Sequence, residues 1–280
     1  MTYIRGDLFQ ELADFTYTDL TCDWDLEKFP NTFSKEAVEA FNGIPIVFTL
    51  TGNIHALLPM LAEVNKKVVL STHITDWAIV EEMYAKLPPN VIRWFAPNVN
   101  FKGDRLESVP IGIETLKRYH QFHHIHKIEK MQAKCQEEKT LKNLLYICHS
   151  SHQANIADRE EAYTVLAGKP FVTAVHHPNI FDFDNYIDNI YRHKFMICPA
   201  GSGLDCHRNW ECVYLDTIPV MKRNINTTFY EDLPICFVES WSQVTEEFLN
   251  KEYERIISSA WNLDKAYFEY WKDRLKSYTR

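Results

Sequence analysis

Short apolar runs rich in β-branched and aromatic residues alternate with longer stretches of helical periodicity along most of this chain, and they do so in two series. The first series predicts a strand at 46–50, the turn Thr51-Gly52-Asn53, a helix at 55–64, a strand at 67–70, a helix at 77–87, and strands at 92–95 and 109–111. The second predicts strands at 144–148, 171–175, 195–198, 218–221 and 235–238, interleaved with helices at 159–166, 183–191, 207–215 and 244–257. Strands joined through helices pair in parallel, because a parallel connection must cross the sheet and return to the same end. The expected fold class is therefore α/β, with two Rossmann-like domains whose parallel sheets carry helices on both faces.

With 280 residues, 46% of them hydrophobic, the chain has material for both cores. Residues 1–116 form the expected first domain and 143–262 the second. The polar stretch 117–142, with charged runs at 127–130 and 137–139, reads as the interdomain connection. Residues 263–280 place Tyr267, Phe268, Tyr270, Trp271 and Leu275 at helical spacing, an apolar face that must pack on something, with a return to the first domain one target. Thirty-eight acidic against thirty basic residues give a net charge of -8, so no basic surface is available for nucleic acid. The N-terminus lacks the pattern of a secretory signal and no apolar run reaches membrane-spanning length, so a soluble, cytoplasmic chain with no transmembrane segment is expected. Seven cysteines, odd in number and without a CxxC, fit a reducing compartment.

The densest chemistry lies in residues 194–220, KFMICPAGSGLDCHRNWECVYLDTIPV. An apolar strand runs into Pro199-Ala200-Gly201-Ser202-Gly203, and a helix follows from about Cys206. Such a turn lets backbone N–H groups approach an anion at the positive end of the helix, so Gly201, Ser202 and Gly203 point to phosphate. Arg208 adds a guanidinium for a diphosphate, and Glu211, on the same helical face, suits ribose hydroxyls. A plain βα turn with Arg208 and Glu211 as a surface pair is the alternative. Arg159, beginning a helix after a polar loop, is placed to reach phosphate or else pairs with Asp158 or solvent. Thr72-His73-Ile74-Thr75-Asp76-Trp77 follows a strand at the end where doubly wound sheets place ligands. His73 and Asp76 both suit proton abstraction, whereas a structural reading makes Asp76 the N-cap of a helix starting at Trp77 and His73 a satisfied loop histidine.

The string from Phe195 to Val220, together with Phe229-Tyr230-Glu231-Asp232-Leu233-Pro234 and Val238-Glu239-Ser240-Trp241, resembles the nucleotide-sugar domain of exostosin-like glycosyltransferases. Members of that family show a strand, a Pro-x-Gly loop, an Arg-x-x-Glu helix, a small turn and Ile/Val-Pro-Val. The likeness extends to Asp158-Arg159-Glu160 and to Thr72-His73-x-x-Asp76-Trp77, in the manner of the exostosin-like enzymes of large algal viruses. The resemblance implies a glycosyltransferase B architecture, with two domains facing across a cleft and the donor held mainly by the second. It also implies viral glycan synthesis in the host cytoplasm, a UDP-sugar donor with UDP-xylose the first choice, and a glycan acceptor. In the implied reaction Asp76 or His73 deprotonates the acceptor hydroxyl while Arg159, Arg208 and the Gly201–Gly203 turn stabilise the leaving diphosphate. Inversion is implied because Pro219 stands where many retaining enzymes of this fold carry a second glutamate. Animal exostosins are membrane-anchored, whereas no anchor is expected here.

Neither a cofactor nor a metal is expected. His120, His123, His124 and His126 crowd together without an adjacent cysteine or carboxylate cluster. Asp23-Trp24-Asp25 and Asp182-Phe183-Asp184 match an Asp-x-Asp pattern, but neither pair follows an early strand. The competing functional class is a non-catalytic two-domain binder of sugar or nucleotide. An NAD(P) oxidoreductase is disfavoured because no GxGxxG follows a strand.

Overall fold

Strands β2 (Ile46–Leu50) and β3 (Val68–His73) are buried along their whole length, as strands covered on both faces must be. The computed structural model describes residues 1–19, 30–116, 121–141, 143–149, 155–176 and 182–280, and the chain divides into two units. Unit 1 comprises residues 1–119 and 267–280. Its sheet adds β1 (Phe15–Tyr17), β4 (Val91–Ala96) and β5 (Leu106–Ser108), all parallel, in the order β1-β2-β3-β4-β5. When strand order follows chain order and every crossover is right-handed, the connecting helices fall on one face. These connections carry α2 (Lys35–Ala40), α3 (Ile54–Ala62) and α4 (Glu81–Tyr84). A further cover is then needed, and two elements outside the series supply it: α1 (Gly6–Leu12), and the chain's last helix, Phe268–Lys276. Phe9, Phe268, Trp271 and Leu275 pack with Ile46, Phe48, Leu50, Val69 and Phe95 in one core. Polar contacts lock the last helix there: Thr2 N and Oγ1 donate to Glu269 at 3.0 and 2.7 Å, and Arg274 Nε donates to Glu107 at 2.8 Å.

Unit 2 comprises residues 120–266. It contains β6 (Asn143–His149), β7 (Val172–His176), β8 (His193–Ile197), β9 (Ile218–Lys222) and β10 (Cys236–Val238). All pairs are parallel, in the order β10-β9-β8-β6-β7. Its helices are α5 (Gln121–Lys134), α6 (Ile156–Leu166), α7 (Phe183–Arg192), α8 (His207–Tyr214) and α9 (Glu246–Ile257), so the last helix of the chain is α10. Leu145, Ile147, Phe195, Ile197, Val220, Val238, Trp241 and Leu249 form its core. Thr245 starts α9 by accepting from Phe248 N at 3.1 Å, an N-cap that moves the helix start two residues beyond the periodicity estimate.

Several expectations are corrected. The stretch 117–142 is not a bare connection, because it carries α5, which packs on α7 inside unit 2. Its charges meet complementary ones: Lys130 and Lys134 lie 3.4 and 3.2 Å from Asp188, and Lys139 Nζ donates to the carbonyls of Leu215 and Asp216 at 2.7 and 2.6 Å. A charge-rich run reads as a solvated linker only until its partners are known. The helix expected over 77–87 shrinks to Glu81–Tyr84, because residues 74–80 form a loop pinned by side chains of neighbouring segments. The single helix expected from 263 breaks into a 3₁₀ turn, Leu263–Ala266, and α10. Among the described residues no helix is long and apolar enough to cross a membrane.

Candidate active site

In the sheet of unit 2 the strand order reverses between β6 and β8, since β6 leads outward to β7 on one side and β8 to β9 and β10 on the other. Such a reversal splays the two following loops apart and opens a crevice at the carboxyl ends of the strands, the usual ligand position in an open parallel sheet. The sheet of unit 1 runs in simple sequential order and offers no such point. Helices α6 and α8 follow β6 and β8, the two strands at the reversal; their first turns carry Arg159 and Arg208, and the Gly201–Gly203 turn lies just before α8.

Hydrogen bonds join the start of α6 to the loop before α8. Arg159, 4% exposed, donates from Nε to the Ala200 carbonyl at 3.1 Å, and Asn155 Nδ2 donates to the Gly201 carbonyl. Asn155 holds a left-handed conformation, φ 61°, and its side chain serves this bridge in place of capping α6. Gly201 is small for a spatial reason: a Cβ there would lie 3.1 Å from Arg159 Nη2. Gly201 N donates to Gly203 O at 3.0 Å, closing the turn, while Ser202 is exposed at its tip. Burial and the charge of Arg208 hold the Arg159 guanidinium below its usual range, a sign of two cations sharing one region.

Among the described residues no carboxylate pairs with Arg208, and its buried Nε has no hydrogen-bond partner. Asp205 and Asp158 are engaged elsewhere. Asp205, 1% exposed, accepts from Asn209 Nδ2 at 2.8 Å and Trp210 Nε1 at 2.9 Å. Asp158, the expected structural partner of Arg159, takes Lys222 at 2.7 Å and Trp241 Nε1 at 2.9 Å. Burial pushes the Cys206 thiol up to about 12, so it stays protonated and supplies no negative charge. The region is cationic, partly desolvated and bordered by helix N-termini, which is the electrostatic form of an anion site.

Glu211 differs from the expectation. It is 2% exposed, ion-paired with Lys127 of α5, and accepts from Tyr186 OH at 2.7 Å. Burial opposes its ionisation, but Lys127 and Tyr186 outweigh that and hold its carboxyl below the usual range. Both oxygens are occupied inside the protein, so Glu211 braces α8 against α5 and α7 in place of facing a ribose. Sequence reasoning missed Lys127, Tyr186, Asn155 and His149. Only the position of His149 at the carboxyl end of a strand was a readable signal for any of them.

In unit 1 His73 is 1% exposed and stacks on Phe9 with ring centroids 4.9 Å apart. Its Nε2 donates to the Pro110 carbonyl at 3.1 Å, and its Nδ1 accepts from Ile74 N at 2.8 Å. With both nitrogens engaged, His73 is the satisfied structural histidine, and the role of base does not fit it. Ile74 has φ 59°, a conformation a β-branched residue rarely adopts. It is held there by close packing under α1, where a Cβ on Gly6 would overlap the Ile74 side chain and lie 2.7 Å from His73 Nδ1. Thr75 Oγ1 accepts from Trp77 N at 3.0 Å, and Asn98 Nδ2 donates to Thr75 O at 2.9 Å. Asp76 is exposed on this pinned loop and caps no helix, since α4 starts at Glu81. Trp77 beside it is 58% exposed.

The metal candidates fall elsewhere. Asp23 and Asp25 lie outside the described residues, as does His120, and the side chains of His123 and His124 are likewise outside them. Asp182 accepts from Asn185 N at 3.2 Å as the N-cap of α7, and Asp184 lies 3.3 Å from His126 and 3.6 Å from Lys130. A groove lined by Phe237, Phe248 and Trp261 also holds Arg223 and Arg255, but these pair with Glu231, Glu239 and Glu252.

No protein-family model matches the chain, and no curated protein matches it. Among solved structures the chain is similar to a crystal structure of an alpha1,3-fucosyltransferase, with 9% identity and a TM-score of 0.45, over 98% of this chain and 95% of that one.

Proposed function

We propose that the protein is a glycosyltransferase that moves a sugar from a nucleotide-sugar donor to a glycan hydroxyl. The observation that carries this reading is the convergence, at the strand-order reversal of unit 2, of Arg159, the Gly201–Gly203 turn and an Arg208 without a carboxylate partner among the described residues. A diphosphate supplies the charge that this region lacks, and as a leaving group it needs that stabilisation most in the transition state. The likeness of residues 195–241 to exostosin-like enzymes supports a sugar nucleotide as its source, with UDP-xylose the first donor to test. Asp76 is the proposed base, being an exposed carboxylate on a loop of fixed backbone. Inversion and independence of metal complete the proposal, the two guanidinium groups taking the part a divalent ion plays elsewhere.

The test is UDP release from UDP-xylose and UDP-glucose in EDTA, with and without a glycan acceptor. Turnover is expected for the wild type and none for Arg208→Ala, whose affinity for UDP should fall about 10- to 150-fold, the worth of a charge-assisted phosphate contact. UDP binding without turnover would favour the non-catalytic binder. Wild-type UDP affinity in Arg208→Ala would reduce the segment to an ordinary βα unit.

A further inference from the structure

His149 ends β6 at the strand-order reversal, beside the two arginines, and is 2% exposed. Its Nε2 lies 2.9 Å from the carbonyl oxygen of Arg159. A carbonyl only accepts, so Nε2 must carry the proton, and in the neutral ring Nδ1 is then an acceptor only. That Nδ1 is buried and has no hydrogen-bond partner. Burial, with the charge of Arg208 adding to it, lowers the histidine to about 4, which keeps the ring neutral at working pH.

Two orphan atoms of opposite demand therefore border one region. Arg208 Nε can only donate and calls for an acceptor, whereas His149 Nδ1 can only accept and calls for a donor. An ionised diphosphate satisfies the first and has no proton to offer the second. A glycosyl diphosphate satisfies both, because the sugar brings hydroxyl donors next to the phosphate oxygens. We propose that His149 Nδ1 accepts a hydrogen bond from one hydroxyl of the donor sugar, and so forms a sugar-reading subsite beside the diphosphate clamp. This rests on the glycosyltransferase reading above and extends it from the leaving group to the sugar that is transferred.

The experiment uses calorimetric titration of the full chain with UDP, UDP-xylose, UDP-glucose and the 2-, 3- and 4-deoxyfluoro analogues of whichever sugar nucleotide binds more tightly. Fluorine keeps the size of a hydroxyl but cannot donate. In the wild type one analogue should bind about tenfold more weakly than its parent, the effect of leaving a buried acceptor unmet. His149→Gln puts an amide near the place of Nε2, retaining the bond to Arg159 while removing the Nδ1 acceptor. It should bind UDP as the wild type does and bind parent and analogue alike. His149→Asn keeps an acceptor near the place of Nδ1 and should retain the discrimination. Thermal unfolding and UDP affinity show whether each variant is folded, and the wild-type analogue series stands whatever they show. The proposal is overturned if all three analogues match their parent in the wild type, if the sugar adds nothing to UDP affinity, or if discrimination survives unchanged in His149→Gln. Failure of UDP itself to bind would overturn the diphosphate reading, and the subsite with it.

Discussion

Gly6 and Ile74 show how single residues set the geometry of the loop that presents Asp76. Ile74 takes a positive φ, and only a glycine fits where α1 crosses it. Gly6→Ala should therefore cost about 1–3 kcal/mol by overpacking, read from urea unfolding. Gly168→Ala makes a useful contrast, because a Cβ there meets nothing within 4 Å and should be neutral or slightly stabilising. If Gly6→Ala were as well tolerated as Gly168→Ala, the packing argument for the strained loop would not hold. Asp76 itself tests the proposed base. Asp76→Asn should cut turnover by about 10² to 10⁴ and leave UDP affinity unchanged, since loss of a general base acts on the transition state. The side chain is exposed and caps no helix, so stability should stay at the wild-type value. An active Asp76→Asn with an ordinary pH profile would move the base elsewhere, and His73, with both nitrogens bonded to backbone, is not the successor.

At the scale of elements, α5 and α8 depend on each other. Lys127 meets the buried Glu211 near the middle of α8, Cys135 Sγ donates to Tyr214 O at 3.2 Å, and Lys139 takes the carbonyls just beyond the end of that helix. Removing one partner strands a buried charge, so Lys127→Ala should destabilise unit 2 by about 3–5 kcal/mol. Pairing Lys127→Met with Glu211→Gln should recover much of that, measured as a double-mutant cycle in denaturant. A loss below about 1 kcal/mol for the single variant would mean a solvent-screened pair, contrary to the burial of Glu211 and the low exposure of Lys127. The brace also explains why part of the site was illegible in the sequence. Arg208 and Glu211 sit one helical turn apart and look like a functional pair, and the spacing does put them on one face. Which of the two keeps a vacant polar atom depends on a lysine far upstream, in a stretch whose composition resembles a linker. The existence of β2, β3, β6 and β8 was legible because each is a short apolar run between turn signals. The short β1 and α1 were not, since they carry too few periodic residues to stand above their neighbours.

For the whole molecule, acid should loosen unit 2. His149 and His193, both in that unit, have their protonation disfavoured, by burial before any other cause. A histidine whose folded pKa lies below its unfolded value near 6.5 contributes stability that is fully present above that value and lost as pH falls. For His149 the loss runs from about 6.5 down to about 4, with a slope of at most about 1.4 kcal/mol per pH unit. Below the ordinary glutamate range the lowered carboxyl of Glu211 adds to the same trend. Hydrogen exchange between pH 7 and 4 should show β6 and β8 losing protection, and protection there that stays unchanged down to pH 4 would contradict this assignment. The chain by itself determined that its sheets are parallel and that Arg159, Gly201 and Arg208 follow strands, because periodicity and turn residues act over a few neighbours. Only the tertiary structure decided where strand order reverses, that His73 is fixed by Pro110 and Phe9, that Glu211 belongs to Lys127, and that His149 is left with an unmet acceptor. A side chain's chemistry is set by the groups that surround it, and those arrive from parts of the chain that no local pattern connects.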